Sequence, residues 1–129
     1  MKKIYVAGPM SGIKEFNFPA FHEATKALRA NGWEVFNPAE RDFEVHGTDI
    51  SVGNETGSVE EAAKEHGFSK RRALGDDLAW ICANADAIYM LPGWVYSTGA
   101  AAEFATATAL DIKSFFGNVE KVKPELLDD

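Results

Sequence analysis

Three observations predict an α/β fold. Short β-rich runs recur along the chain, each ended by glycine, proline or asparagine: KIYVAG (Lys3 to Gly8), WEVF (Trp33 to Phe36), Ala87 to Leu91, and a fourth at Ile112 to Phe116. Segments with helical spacing of apolar residues lie between them. The chain has 129 residues, 46% apolar and 26% charged, enough for one core that buries roughly two thirds of the extended surface, with no sign of a second. Strands alternating with helices imply a single-domain, open, mostly parallel sheet of four to five strands with helices on both faces, flavodoxin-like or Rossmann-like.

Each element has a local reason. Phe21, Ala24 and Leu28 share one face of a helix from Phe18 to Ala30, with Asn17 as its cap, Pro19 in its first turn and Asn31-Gly32 as its stop. Glu40 to Gly57 is polar and lacks clean periodicity, and reads as a long loop or lid. Ser58-Val-Glu-Glu61 is a capping box for a short helix up to His66. Ser69 caps the next helix, which runs through Leu74, Leu78 and Ile81 to Ala83. A last helix is expected from about Thr98 to Asp111. The tail KVKPELLDD leaves a short strand, a helix or disorder open.

Composition excludes several classes. A formal net charge of −7 and a pI of about 4.9 disfavour binding to nucleic acid or anionic membranes. No run approaches a membrane span, and MKKIYVAGPM lacks a signal peptide's apolar core. Cys82 is the only cysteine, so no intrachain disulfide forms and a reducing, cytoplasmic setting is expected. Cys82 lies in the mostly apolar run LAWICANAD and is expected to be a buried structural thiol. His22, His46 and His66 lack metal-ligand spacing, and no metal or cofactor is expected.

In open parallel sheets, ligands bind beyond the carboxyl ends of the strands. GPMSG (Gly8 to Gly12), NPAERD after the second strand, and LPGWVYSTG after the third all fall on that edge. GPMSG reads either as a strand-ending turn or as a loop whose N–H groups wrap a sugar or phosphate. Ser97 either caps the following helix or, with Gly99, also offers a nest for a phosphate or 5′-hydroxyl. Glu103, four residues beyond Gly99 among alanines, faces either solvent or the ligand. Asp77 shares a stripe with Leu74 and Ile81, whereas Asp76 looks outward. Tyr5 lies inside the first strand and reads as core.

IYVAGPMSG, GWEVFNPAE, DDLAWICANADAIYMLPG and STGAAAEF, in this order and spacing, resemble the nucleoside 2-deoxyribosyltransferase-like superfamily over Lys3 to about Phe116. That superfamily includes the nucleoside 2-deoxyribosyltransferases and the 2′-deoxynucleoside 5′-phosphate N-hydrolases. The resemblance implies that Glu103 is the nucleophile and that Asp77 serves the leaving base or the nucleophile. It places Tyr5, Gly8, Met10 and Gly12 around base and sugar, and Ser97 and Gly99 in the phosphate-binding loop. Serine at position 97, where the transferases carry aspartate, leans towards a 5′-phosphate. Two departures oppose that lean. Ala101 stands where the hydrolases have a further glycine, and MSGIKEF lacks their early arginine, leaving Lys14 as the nearby cation.

The chemistry fits these residue types. A carboxylate beneath C1′ stabilises an oxocarbenium-like state or forms a glycosyl ester. A helix N-terminus would keep Glu103 ionised, while a second acid in a more apolar setting holds a proton for the departing base. The expected activity is N-glycosidic cleavage of a nucleoside or its 5′-monophosphate, with base exchange and non-catalytic nucleotide binding as alternatives. The partners expected are a small-molecule nucleoside or nucleotide and further copies of the chain, as a homodimer or higher oligomer. Trp80, Trp94, Phe104 and Phe116 supply apolar area near the active edge for that assembly.

Overall fold

The computed structural model describes residues 1–128. Four strands form one sheet: β1 (Lys3–Ala7), β2 (Glu34–Phe36), β3 (Ala87–Met90) and β4 (Lys113–Phe115). Their order is β2-β1-β3-β4 and every pair is parallel, with Ile4 opposite Val35 on one side and Ala87 on the other. Five helices complete the fold: α1 (Phe18–Ala30), α2 (Pro38–His46), α3 (Val59–His66), α4 (Lys70–Asn84) and α5 (Thr98–Ala109). The mostly parallel α/β sheet with helices on both faces is therefore present, with four strands.

The pleat divides the core in two, because successive side chains point to opposite faces. Ile4, Val6, Ala87 and Tyr89 face α1 and pack with Phe21, Leu28 and Trp33. Tyr5, Ala7, Ile88 and Met90 face α4 and α5 and pack with Ile81, Ala100 and Ala107. The β1–α1–β2 crossover covers one face, and the crossovers into and out of β3 cover the other. Chain leaving β1 and chain leaving β3 thus diverge, which opens a crevice at their carboxyl ends.

Three expectations are corrected. The stretch read as a loop from Glu40 to Gly57 begins as helix: Asn37 Oδ1 accepts from Ala39 N at 2.9 Å, Pro38 occupies the first turn, and Gly47 ends it in the left-handed region. Its buried positions are Pro38, Ala39, Arg41 and Asp42, so a charged pair fills the place of the apolar stripe that marks a helix in sequence. Only the part beyond His46 is turn. Asn17 sits at the start of α1 but does not cap it; its amide donates to Pro9 O at 3.1 Å. Cys82 is exposed, not buried. The inward stripe of α4 is Ala73, Asp77 and Ile81, and the residue after Ile81 is turned about 100° away from it.

The tail forms two 3-10 turns (Val119–Lys121 and Pro124–Leu127). They lie under the end of α1, where Trp33 Nε1 donates to Val122 O at 2.8 Å. Among the described residues no helix is long and apolar enough to cross a membrane.

Candidate active site

A cleft of about 190 Å³ opens at the β1/β3 divergence. Gly8 ends β1 against Leu91: a Cβ added there would lie 2.7 Å from the Leu91 Cβ, so the two diverging segments meet only through glycine. Gly8 and Met10 line the cleft from one side, and Ser97, Gly99 and Ala100 from the start of α5. Phe16 and Phe68 supply apolar wall. Phe16 arrives on an unusual path, with Glu15, Phe16 and Asn17 all at φ between 52° and 60°.

The floor carries two carboxylates from different helices. Glu103 of α5 and Asp77 of α4 both line the cleft and are 6% and 7% exposed. Tyr5, wholly buried and stacked on Phe36, donates its hydroxyl to Glu103 Oε2 at 2.5 Å. Asp77 Oδ1 is buried without a hydrogen-bond partner. Such an orphan atom is costly unless a proton or a ligand satisfies it.

Burial sets the electrostatics. It pushes Asp77 up to about 7, with the charge of Asp42 adding and Arg41 opposing. It pushes Glu103 up to about 8, the Tyr5 hydrogen bond opposing and Asp77 adding. The Tyr5 hydroxyl is held well above its ordinary range by burial and by both acids. The expectation that a helix N-terminus keeps Glu103 ionised is overturned. Glu103 lies six residues beyond the cap Ser97, where the dipole has decayed, and desolvation dominates.

Six of the eight expected site residues therefore line one cleft: Gly8, Met10, Asp77, Ser97, Gly99 and Glu103. Tyr5 stands behind Glu103 and reaches the cleft only through that carboxyl. Gly12 lies outside the lining, on the exposed loop, with its N–H donating to Gly57 O at 2.9 Å. Ser97 does cap α5, its Oγ accepting from Ala100 N at 3.2 Å. Its hydroxyl proton stays available to the cleft. Lys14 pairs with Glu55 on the surface at 3.4 Å; the cation that lines the cleft is Lys70, at the start of α4.

Sequence reasoning missed Arg41 and Asp42. Arg41 Nη1 donates to Asp42 Oδ1 at 2.6 Å, and Nη2 to Asp76 Oδ2. Asp42 lines the cleft and is 3% exposed. The signal was present: NPAERD sits at the ligand edge, and Asn37-Pro38 opens a helix. Among the described residues, no group of three or more His, Cys, Asp or Glu is arranged to hold a metal ion.

A parallel β-α-β scaffold of nucleotide-binding type, with a small acidic cleft at its switch point, is what fold and site together define. The sequence model of one family, described as "Domain of unknown function (DUF4406)", matches residues 2–116, and the chain belongs to that family. No curated protein matches it.

Proposed function

We propose that the protein cleaves the N-glycosidic bond of a nucleoside or nucleoside 5′-monophosphate, with Glu103 as nucleophile and Asp77 as proton donor to the departing base. The observation that carries this reading is the convergence of two buried carboxyls, from α5 and α4, on one cleft at the carboxyl edge of the sheet.

In this reading Glu103 attacks C1′ as the C1′–N bond breaks. The bonding pair leaves with the base, and Asp77 supplies the proton that neutralises it. Water then opens the glycosyl ester, its proton returning to Asp77. A second base in place of water gives exchange. Tyr5 favours charge on Glu103 through its O–H, but burial still leaves Glu103, at about 8, more basic than Asp77, at about 7. In this reading the reactive form, with Glu103 ionised and the proton on Asp77, is therefore the minor form of the singly protonated pair, and substrate binding draws the proton to Asp77. The Ser97 hydroxyl, the Gly99 N–H and Lys70 are the donors available to a 5′-hydroxyl or 5′-phosphate.

The test incubates the pure protein with ribo- and deoxynucleosides and their monophosphates, with and without a second base, and resolves products by chromatography. Free base or an exchanged nucleoside is expected. No release from any substrate, or release equal to that of Glu103→Gln, overturns the reading.

The same reading includes a homo-oligomer. Trp94, Phe104 and Phe116 form an aromatic cluster with centroids 4.7 to 6.0 Å apart, and Phe116 is half exposed. Trp80, by contrast, packs inward against Phe36, the tilted rings 4.7 Å apart between centroids. Light scattering at micromolar concentration should give at least a dimer mass; a monomer mass rejects it.

A further inference from the structure

Asp42 is a cleft-lining carboxylate that the reaction above does not use. It is 3% exposed, and one oxygen, Oδ1, accepts from Arg41 Nη1 at 2.6 Å. The other oxygen accepts from no protein donor among the described residues. Arg41 is itself 9% exposed and tied on its far side to Asp76, so the guanidinium is fixed against Asp42. Burial pushes the Asp42 carboxyl up, with Arg41 opposing, and the guanidinium bonded to Oδ1 is the partner that favours the carboxylate form. Asp42 also stands near enough to Asp77 for its charge to act there. Both carboxylates line the same cleft, and in the proposed reaction Asp77 is the group that meets the leaving base. Ser97 and Gly99 come from the start of α5, on the other helix.

A desolvated acceptor facing a ligand selects by hydrogen-bond polarity. An N–H donor satisfies it, while a carbonyl in the same place leaves two acceptors in opposition. We infer that Asp42 is a specificity-determining residue that selects nucleobases presenting an amino group over their oxo counterparts. This inference rests on the reading of the cleft as a nucleoside or nucleotide site. Arg41 makes its consequence sharp, because a guanidinium has only donors. In Asp42→Asn, the new amide must turn its oxygen to Arg41 Nη1 and therefore its NH2 to the cleft. The wall changes from acceptor to donor without changing shape, and the preference inverts.

The experiment uses two matched pairs, cytosine with uracil and adenine with hypoxanthine, each as deoxynucleoside and 5′-monophosphate. It reads kcat/KM for base release. Binding is read separately by calorimetry on Glu103→Gln, alone and combined with the position-42 changes. Wild type should favour the aminated member at least ~10-fold in the pair it accepts. Asp42→Asn should bring that ratio to one or below. Asp42→Ser, which withdraws the carboxylate, should erase the preference without inverting it. A wild-type ratio within about threefold of one, an oxo preference, or a ratio untouched by Asp42→Asn overturns the inference and leaves glycosidic cleavage standing. Absence of base release overturns the cleavage reading instead. The binding ratio then decides the inference, and no preference in binding, or no binding of either member, overturns it as well. The wild-type ratio needs no variant to fold.

Discussion

The face of the sheet under α1 and the face under α4 and α5 are buried in different ways. Under α1 the large buried side chains are Phe21, Leu28, Trp33 and Ile4, and the Trp33 N–H has its partner in Val122 O. Under α4 and α5 lie Ile81, Ile88 and Met90, but Tyr5, Asp77 and Glu103 are buried with them. Apolar burial stabilises each face, at about 25 cal/mol per Å². Two desolvated carboxyls subtract from the second, since a buried acid costs free energy whenever it is ionised. A fold that keeps such acids on one face, opposite a conventional core, can hold a reactive site without risking the whole domain.

The largest expected effect falls on the second face and on activity alone. Glu103→Gln keeps shape and the Tyr5 contact but cannot form an ester with C1′. Base release should fall at least ~1,000-fold, about 4 kcal/mol of transition-state stabilisation. Urea denaturation should show equal or greater stability, because a neutral amide replaces a desolvated acid. Near-wild-type turnover would remove Glu103 from the chemistry. Leu28→Ala makes the converse break. Leu28 is wholly buried under α1, and the cavity should cost about 2–5 kcal/mol by urea midpoint, with kcat of the folded fraction unchanged.

The same division explains what could be read from the sequence. α1 was legible from end to end, because Phe21, Ala24 and Leu28 print a period on a face that meets only apolar neighbours. α2 was not, because its inward residues include Arg41 and Asp42, and a buried ion pair looks like a surface in sequence. Cys82 was misplaced for the opposite reason. Apolar neighbours in sequence suggested burial, but the stripe through Asp77 and Ile81 points a polar residue inward and the thiol outward. Asp77 and Glu103 were legible as candidates because spacing put them on the ligand edge. Their raised values were not, because desolvation depends on the packing of two helices and a strand.

Titration sharpens the contrast. Ordinary values are 3.8 for Asp77 and 4.5 for Glu103, against about 7 and about 8 in the fold. Between these limits the folded chain binds more protons than the unfolded one, so stability is full below about pH 4 and falls as pH rises through 7 and 8. Each group contributes at most about 1.4 kcal/mol per pH unit. From pH 5 to 8 the Tm of wild type should fall more steeply than that of Glu103→Gln, which retains only the Asp77 share. Parallel curves would place Glu103 outside the desolvated site.

Tyr5→Phe should have a smaller effect, confined to the second face. The hydroxyl donates to Glu103 and lowers its value, so its loss raises that value further. The rising limb of kcat/KM, which reports ionised Glu103, should move to higher pH. Activity at neutrality should drop roughly tenfold, from a charge-assisted bond worth about 1.5 kcal/mol. A uniform drop with an unmoved limb would mean that Tyr5 only packs.

The smallest effect lies where the α1 side of the molecule reaches over to wall the cleft. Glu15, Phe16 and Asn17 have φ of 53°, 52° and 60°, and they carry the buried Phe16 into the lining. The left-handed region costs an ordinary residue about 1–2 kcal/mol. Backbone contacts offset this: Glu15 N donates to Asn54 O at 2.7 Å, and Gly57 lies against Ile13, where a Cβ would come within 2.2 Å of Ile13 O. The Glu15 side chain makes no hydrogen bond or ion pair among the described residues, so Glu15→Gly relieves strain and loses little else. Against the gain stands glycine's greater freedom when unfolded, about 0.5–1 kcal/mol. The net should be a stabilisation of up to about 1 kcal/mol by urea midpoint. Asn17→Gly should have the opposite sign, because asparagine tolerates this region and its amide holds Pro9 O. Equal losses in both variants would show that the turn is held by its side chains, with no strain to release.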